Sequence, residues 1–222
     1  MISGTSNNTT IYVEVDDEAK VELVLDGVNI TNTDYPCIYI KSGDKVFITT
    51  TSDSILSVTG SFKADDENNV NGVIYSKSDI TLKGSAKLTI NSSYNGIVSK
   101  DGIKITGGIY NITSVANGIR ANDYIVISDG TLTINSGTDG LHAEYDEDDS
   151  VGYIYIESGT INIDAKDDGI HATTTVQIEN GTININASEG IEGTYIVIND
   201  GNINITSSDD GINASNKSTK YS

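Results

Sequence analysis

Four acidic residues each stand directly before a glycine and a branched aliphatic residue: Asp139 in DGLHAE, Asp168 in DGIHAT, Glu189 in EGIEGT and Asp210 in DGINAS. Asp167 and Asp209 adjoin two of them, and Glu192 follows the third. Between Glu144 and Val151, five residues are acids: Glu144, Asp146, Glu147, Asp148 and Asp149. Carboxylates this dense disfavour one another's ionisation unless a cation, water or salt intervenes. A hard cation such as Ca2+ takes six to eight oxygens from carboxylates, carbonyls and water. Two calcium sets are expected on this basis. One combines Asp139 with Glu144, Asp146 and Asp148 of the acidic stretch, and the other combines Asp168, Glu189, Glu192 and Asp210. Asp146, Asp148, Ser150 and Glu157 also fall at positions 1, 3, 5 and 12 of a helix–loop–helix calcium loop. Val151 replaces the glycine that loop needs and a strand pattern follows, so the motif is rejected and the metal kept. The plainer reading of Asn or Asp before Gly is a turn needing φ > 0, and it serves for Asn71, Asn95 and Asn117.

His142 and His171 lie among these acids. Imidazoles beside carboxylates can hold a transition metal or move protons near neutral pH; otherwise they are solvated surface residues. Arg120 stands at the equivalent place one repeat earlier. Tyr124, Tyr153 and Tyr195 each open a strand pattern, with Thr175 at the intervening repeat, and tyrosine faces stack on sugar rings. Arg120, His142, His171 and Tyr153 are therefore the candidate carbohydrate contacts.

These residues need a scaffold that brings distant positions together, and the chain repeats. The glycines Gly72, Gly96, Gly118, Gly140, Gly169, Gly190 and Gly211 are separated by 24, 22, 22, 29, 21 and 21 residues. Inside each period lie alternating segments over a glycine: IVISDGTLTIN, IYIESGTINID, VQIENGTININ and IVINDGNINIT. Strict alternation marks short strands with one buried face. A period of about 21–22 residues with about three strands per repeat predicts an all-β, right-handed parallel β-helix, one coil per repeat. Coils stack about 4.8 Å apart, so equivalent positions form columns. Ile170, Ala172, Val176, Ile178, Ile183 and Ile185 are expected inside. The outward column after each glycine reads Ile74, Val98, Arg120, His142, His171, Glu192 and Asn213, and Asn111, Thr133, Asn162, Asn184 and Asn204 form an amide ladder that ties coils together. The separation of 29 places an insertion of about eight residues at Glu144–Val151, and solenoid insertions loop out on one face. A leucine-rich repeat lacks support because its Leu/Asn pattern is missing, and the calcium-binding nonapeptide roll because GGxGxD is missing.

The domain is expected over residues 11–215, with 11–70 as N-terminal coils and cap, 71–215 as regular coils and 216–222 as a frayed tail. Residues 1–10 (MISGTSNNTT) read as an irregular start that follows a removed leader. The chain has 222 residues with 32 Asp and Glu against 13 Lys and Arg, a formal charge of −19. Such a charge opposes nucleic acid and anionic membrane surfaces. No apolar run is long enough for a membrane helix. The single cysteine, Cys37, forms no internal disulfide and reads as a small core residue.

The segments AKVELVLDGVNIT, PCIYIKSGDKVFIT, SKDGIKITGG, NGIRANDYIVISDGTLTINSGTDGLHAEYDEDDSVGYIYIESGTINI, DDGIHA, EGIEG and SSDDGINAS together resemble the clostridial carbohydrate-binding domain-containing family. The resemblance spans residues 11–215. It implies a right-handed parallel β-helix similar to pectate lyases, secreted or held at the cell surface, most simply as a monomer. It further implies bound Ca2+ and affinity for plant cell-wall polysaccharides, cellulose and polygalacturonate, without lyase activity. Two alternatives remain. A calcium-dependent lyase would need a base, with Lys166, Arg120 and His142 as candidates. A surface adhesin would use calcium only for rigidity.

Overall fold

The computed structural model describes residues 1–63, 69–145 and 150–215. Twenty-one strands fill them, all paired in parallel, and no helix occurs among the described residues. The strands wind into a parallel β-helix of about nine turns.

The core is built from stacked aliphatic columns. Ile11, Ile38, Ile74, Ile97, Ile119, Leu141, Ile170, Ile191 and Ile212 lie in direct register along one sheet. A second sheet stacks Val21, Val46, Ile80, Ile103, Ile125, Ile154, Val176 and Ile196. A third stacks Ile30, Leu56, Ile90, Ile112, Ile134, Ile163, Ile185 and Ile205. The six residues expected inside between Ile170 and Ile185 are all buried. No coil covers its own apolar face; each is covered by its neighbours. Cys37 is buried, its thiol set against the Ser57 carbonyl at 3.3 Å, and burial pushes its pKa up to about 12.

Three expectations need correction. Residues 1–10 are not irregular throughout: the strand Ile2–Asn7 pairs in parallel with Leu25–Thr31 and adds an edge to the first coil. The first regular repeat is slipped by one residue. Asn95 lies over Gly72, not Asn71, and Ile74 lies over Ile97, inside. The outward column therefore contains Tyr75 instead of Ile74. Keeping the isoleucine column continuous outweighs keeping glycine over glycine. The full column is Tyr12, Tyr39, Tyr75, Val98, Arg120, His142, His171, Glu192 and Asn213.

The third correction concerns the glycines of the repeat column, Gly72 to Gly211. None of them has a positive φ, which belongs instead to glycines such as Gly108, Gly130, Gly159, Gly181 and Gly201, at φ between 106° and 130°. Gly96, Gly118, Gly140, Gly169 and Gly190 are needed for space. A Cβ on Gly140 would stand 2.5 Å from Ile163 Cγ2 and 2.6 Å from the Gly169 carbonyl oxygen.

The Asn and Asp before these glycines tie coils together. Asn95 Oδ1 accepts the Asn117 N–H, Asn117 Oδ1 accepts the Asp139 N–H, and Asp139 Oδ1 accepts the Asp168 N–H, each at 3.1 Å. Asn117 Oδ1 also receives the Thr138 hydroxyl. All of these donors and acceptors are shielded, so Asn117→Ala leaves a buried N–H unpaired. Denaturant unfolding is expected to show a loss of about 1–3 kcal/mol.

Candidate functional site

The site lies at the corner between the first and second sheets. The strand Leu141–Ala143 presents His142, and Asp168–Ile178 presents His171 one coil on. The rings stack with centroids 4.9 Å apart at 23°. Each histidine turns back to the acid three residues before it. His142 Nδ1 meets Asp139 Oδ2 at 2.5 Å, and His171 Nδ1 meets Asp168 Oδ2 at 2.7 Å. Glu144 Oε2 takes the other side of His142, 2.9 Å from Nε2, and Glu192 Oε2 lies 3.0 Å from His171 Nδ1.

Asp139, Asp168 and Glu192 are each 6% exposed, so these charges are poorly screened by water. Burial pulls the His142 pKa down, but hydrogen bonds to Asp139 and Glu144 outweigh it and raise it to about 9. The hydrogen bond from His142 in turn holds Glu144 down at about 2. Burial lifts the Asp168 carboxyl above its ordinary range, opposed by the hydrogen bond from His171 and reinforced by Asp139. His142 is thus an imidazolium with both nitrogens engaged at neutral pH.

Arg120 precedes His142 in the column, its guanidinium 3.8 Å from Glu144. Its Nε is buried with no hydrogen-bond partner among the described residues. Desolvation, then the nearby Arg120 charge, pulls the Lys100 pKa below its ordinary range. Two cations therefore sit side by side at the start of the acidic column.

Across the corner, Tyr124 and Tyr153 stack at 5.6 Å, and Thr175 and Tyr195 continue the register. The Tyr124 ring lies over Gly102, and its hydroxyl donates to Asp79 at 2.9 Å. The acidic insertion leaves and re-enters at this corner. Its described ends are pinned by the Gly152 N–H on the Asp123 carbonyl and by the Thr174 hydroxyl on the Val151 carbonyl.

Three groups of ligand atoms converge among the described residues: Asp139, His142 and His171; Asp168, His171 and Glu192; Asp139, Asp167 and Asp168. The expected calcium sets are redistributed. Asp168 and Glu192 come together around His171, whereas Glu189, which accepts from Asn213, and Asp210 join no such group. Glu144 reaches Asp139 only through His142. Asp146 and Asp148 lie outside the described residues. Asp167, which the expected sets omit, brings a carboxylate to the third group; its place beside Asp168 was its only signal. The recurrence of Asp-Gly-(Leu/Ile)-His at 139–142 and 168–171 was the sequence signal for the Asp–His pairs.

On the third sheet, Asn184 Nδ2 donates to Asn162 Oδ1 at 2.9 Å and Asn204 Nδ2 to Asn184 Oδ1 at 3.0 Å, the expected amide ladder. A parallel column holds Asn135, Asp164, Asn186 and Thr206, and an open groove of about 370 Å³ runs between the two.

A family model described as carbohydrate-binding domain-containing protein matches residues 1–220. The chain belongs to that family. One member, a carbohydrate-binding domain-containing protein of Acetivibrio thermocellus, is 46% identical over 116 residues, which are 50% of this chain and 40% of the relative. The match thus spans less than half of that curated relative. A solved structure, the gadolinium derivative of the polysaccharide lyase-like protein from C. thermocellum, is 36% identical with a TM-score of 0.78. The likeness covers 95% of this chain and 82% of that one.

Proposed function

We propose that this chain is a secreted, non-catalytic module that binds plant cell-wall polysaccharides, with Ca2+ helping to hold acidic ones. The observation that carries the reading is the corner itself. The Arg120–His142–His171 column, the Tyr124–Tyr153 stack and the described ends of the acidic insertion all border it. Arg120, with its buried unpaired Nε and Lys100 alongside, suits a uronate carboxylate. The tyrosine faces and the amide groove suit the hydroxyls and apolar faces of a neutral glucan.

A chain at −19 repels polygalacturonate, and a divalent cation between carboxylates reverses that local sign. Asp139, Asp167 and Asp168 fit Ca2+ because, of the three converging groups among the described residues, theirs is the one made of oxygen ligands only, with exposed Asp167 leaving a side for water. The gadolinium derivative of the lyase-like relative supports this, since lanthanide ions also prefer oxygen. The lyase alternative is disfavoured here: both ring nitrogens of His142 are already engaged, by Asp139 and by Glu144, so neither is open to a substrate proton. Lys166 is exposed and belongs to none of the converging groups.

The test is retention on polygalacturonate and on cellulose, with Ca2+ and with chelator, while the ultraviolet absorbance of unsaturated uronide is followed. Calcium-dependent retention with flat absorbance is expected. Arg120→Ala should weaken polygalacturonate retention about tenfold and leave cellulose unchanged. Rising absorbance would make the protein a lyase, and no retention on either polymer would end the carbohydrate reading.

A further inference from the structure

Two carboxylate oxygens compete for one ring nitrogen of His171: Asp168 Oδ2 at 2.7 Å and Glu192 Oε2 at 3.0 Å. An imidazole Nδ1 carries at most one proton, and the two carboxylates also lie within hydrogen-bond reach of each other, so three ligand atoms converge on one point. Asp168 and Glu192 are both buried and bring two negative charges.

The ligand types decide among cations. Ca2+ prefers oxygen alone, and the nitrogen of His171 points to an ion that accepts imidazole. Two carboxylates balance a divalent charge. The His142 ring stacked behind His171 fixes the orientation of the ligand ring. Beside His171 and Glu192 lies a cavity of about 40 Å³, also lined by Glu144, Thr173, Thr194 and Ser215. It has room for water on the open coordination positions. Thr173 Oγ1 is buried there with no partner among the described residues.

We propose that Asp168, His171 and Glu192 form a three-ligand site for a first-row divalent transition-metal ion. The site goes beyond the calcium reading. It uses His171 and Glu192, which the oxygen-only group does not, and the two share Asp168.

The chelator-stripped full chain, kept in saturating Ca2+, would be titrated calorimetrically with Zn2+. One strong site is expected, weakened at least about tenfold by His171→Asn and by Glu192→Gln, and unchanged by Asp210→Asn, whose exposed carboxylate joins no converging group. Bound Cu2+ should show imidazole nitrogen coupling by electron paramagnetic resonance, and His171→Asn should remove it. The proposal falls if Zn2+ gives no site, if neither variant weakens it, or if the nitrogen coupling survives in His171→Asn. If His171→Asn does not fold by circular dichroism, Glu192→Gln alone decides. Glycan retention does not enter this readout, so failure of the carbohydrate reading leaves the result intact.

Discussion

Replacing Gly140 by alanine is expected to destabilise the protein by about 3 kcal/mol, at or above the upper end of the range for overpacked sites. The new methyl would meet Ile163 Cγ2 at 2.5 Å and the Gly169 carbonyl oxygen at 2.6 Å. A side chain can rotate away from such a contact. The carbonyl cannot, because it belongs to the coil ladder: the Gly140 N–H itself donates to the Asp168 carbonyl at 2.9 Å. Moving one coil aside would break bonds to the next. Gly211 is the internal control. It occupies the same column in the last coil, where a Cβ would meet only Ser207 Oγ at 3.8 Å. Gly211→Ala should therefore stay within about 0.5 kcal/mol of the parent. Paired denaturant titrations check both. Equal losses would mean that close approach does not explain this glycine column.

Asp139→Asn separates the two roles of one side chain. Its Oδ1 accepts the Asp168 N–H at 3.1 Å, a job that Asn95 and Asn117 perform in the two preceding coils. The amide should keep that bond, so the coil should fold. Its Oδ2 meets His142, its carboxylate belongs to the proposed calcium group with Asp167 and Asp168, and there the lost charge matters. Calcium affinity should fall at least about tenfold, a cost of about 1.4 kcal/mol. The rise in melting temperature on adding Ca2+ should shrink with it. Asp139→Ala should do worse, by about 3–5 kcal/mol, because it strands a buried imidazolium and an unpaired N–H together. Differential scanning calorimetry with and without Ca2+ distinguishes these cases. A wild-type calcium response in Asp139→Asn would remove Asp139 from the metal site.

The period and the alternation were enough to place the coils, because a solenoid core is the sum of local patterns. From Val98 to Asn213 the outward column could be read directly. It failed at Ile74, where the glycine spacing of 24 and the aliphatic alignment disagree by one residue. A pattern centred on glycine could not weigh that conflict, since burying an isoleucine is worth more than stacking two glycines. Stacking of His142 on His171 followed from the period alone. Their pairing with Asp139, Asp168, Glu144 and Glu192 did not, because it depends on side-chain rotation within a column. That choice is also why Glu189 and Asp210 dropped out while Asp167 entered.

The outward column of the first sheet changes character along its length. It runs through Tyr12, Tyr39 and Tyr75, then Val98, Arg120, two histidines, Glu192 and Asn213. With Tyr39, Tyr75 and Val98 buried, a polymer lying along it meets the Tyr12 ring at one end, the Arg120 guanidinium in the middle and the acidic coils beyond. A polysaccharide has distinct reducing and non-reducing ends, and the two ways of laying it on this column are not equivalent. The scaffold thus has a built-in polarity with which to tell one direction of a glycan strand from the other.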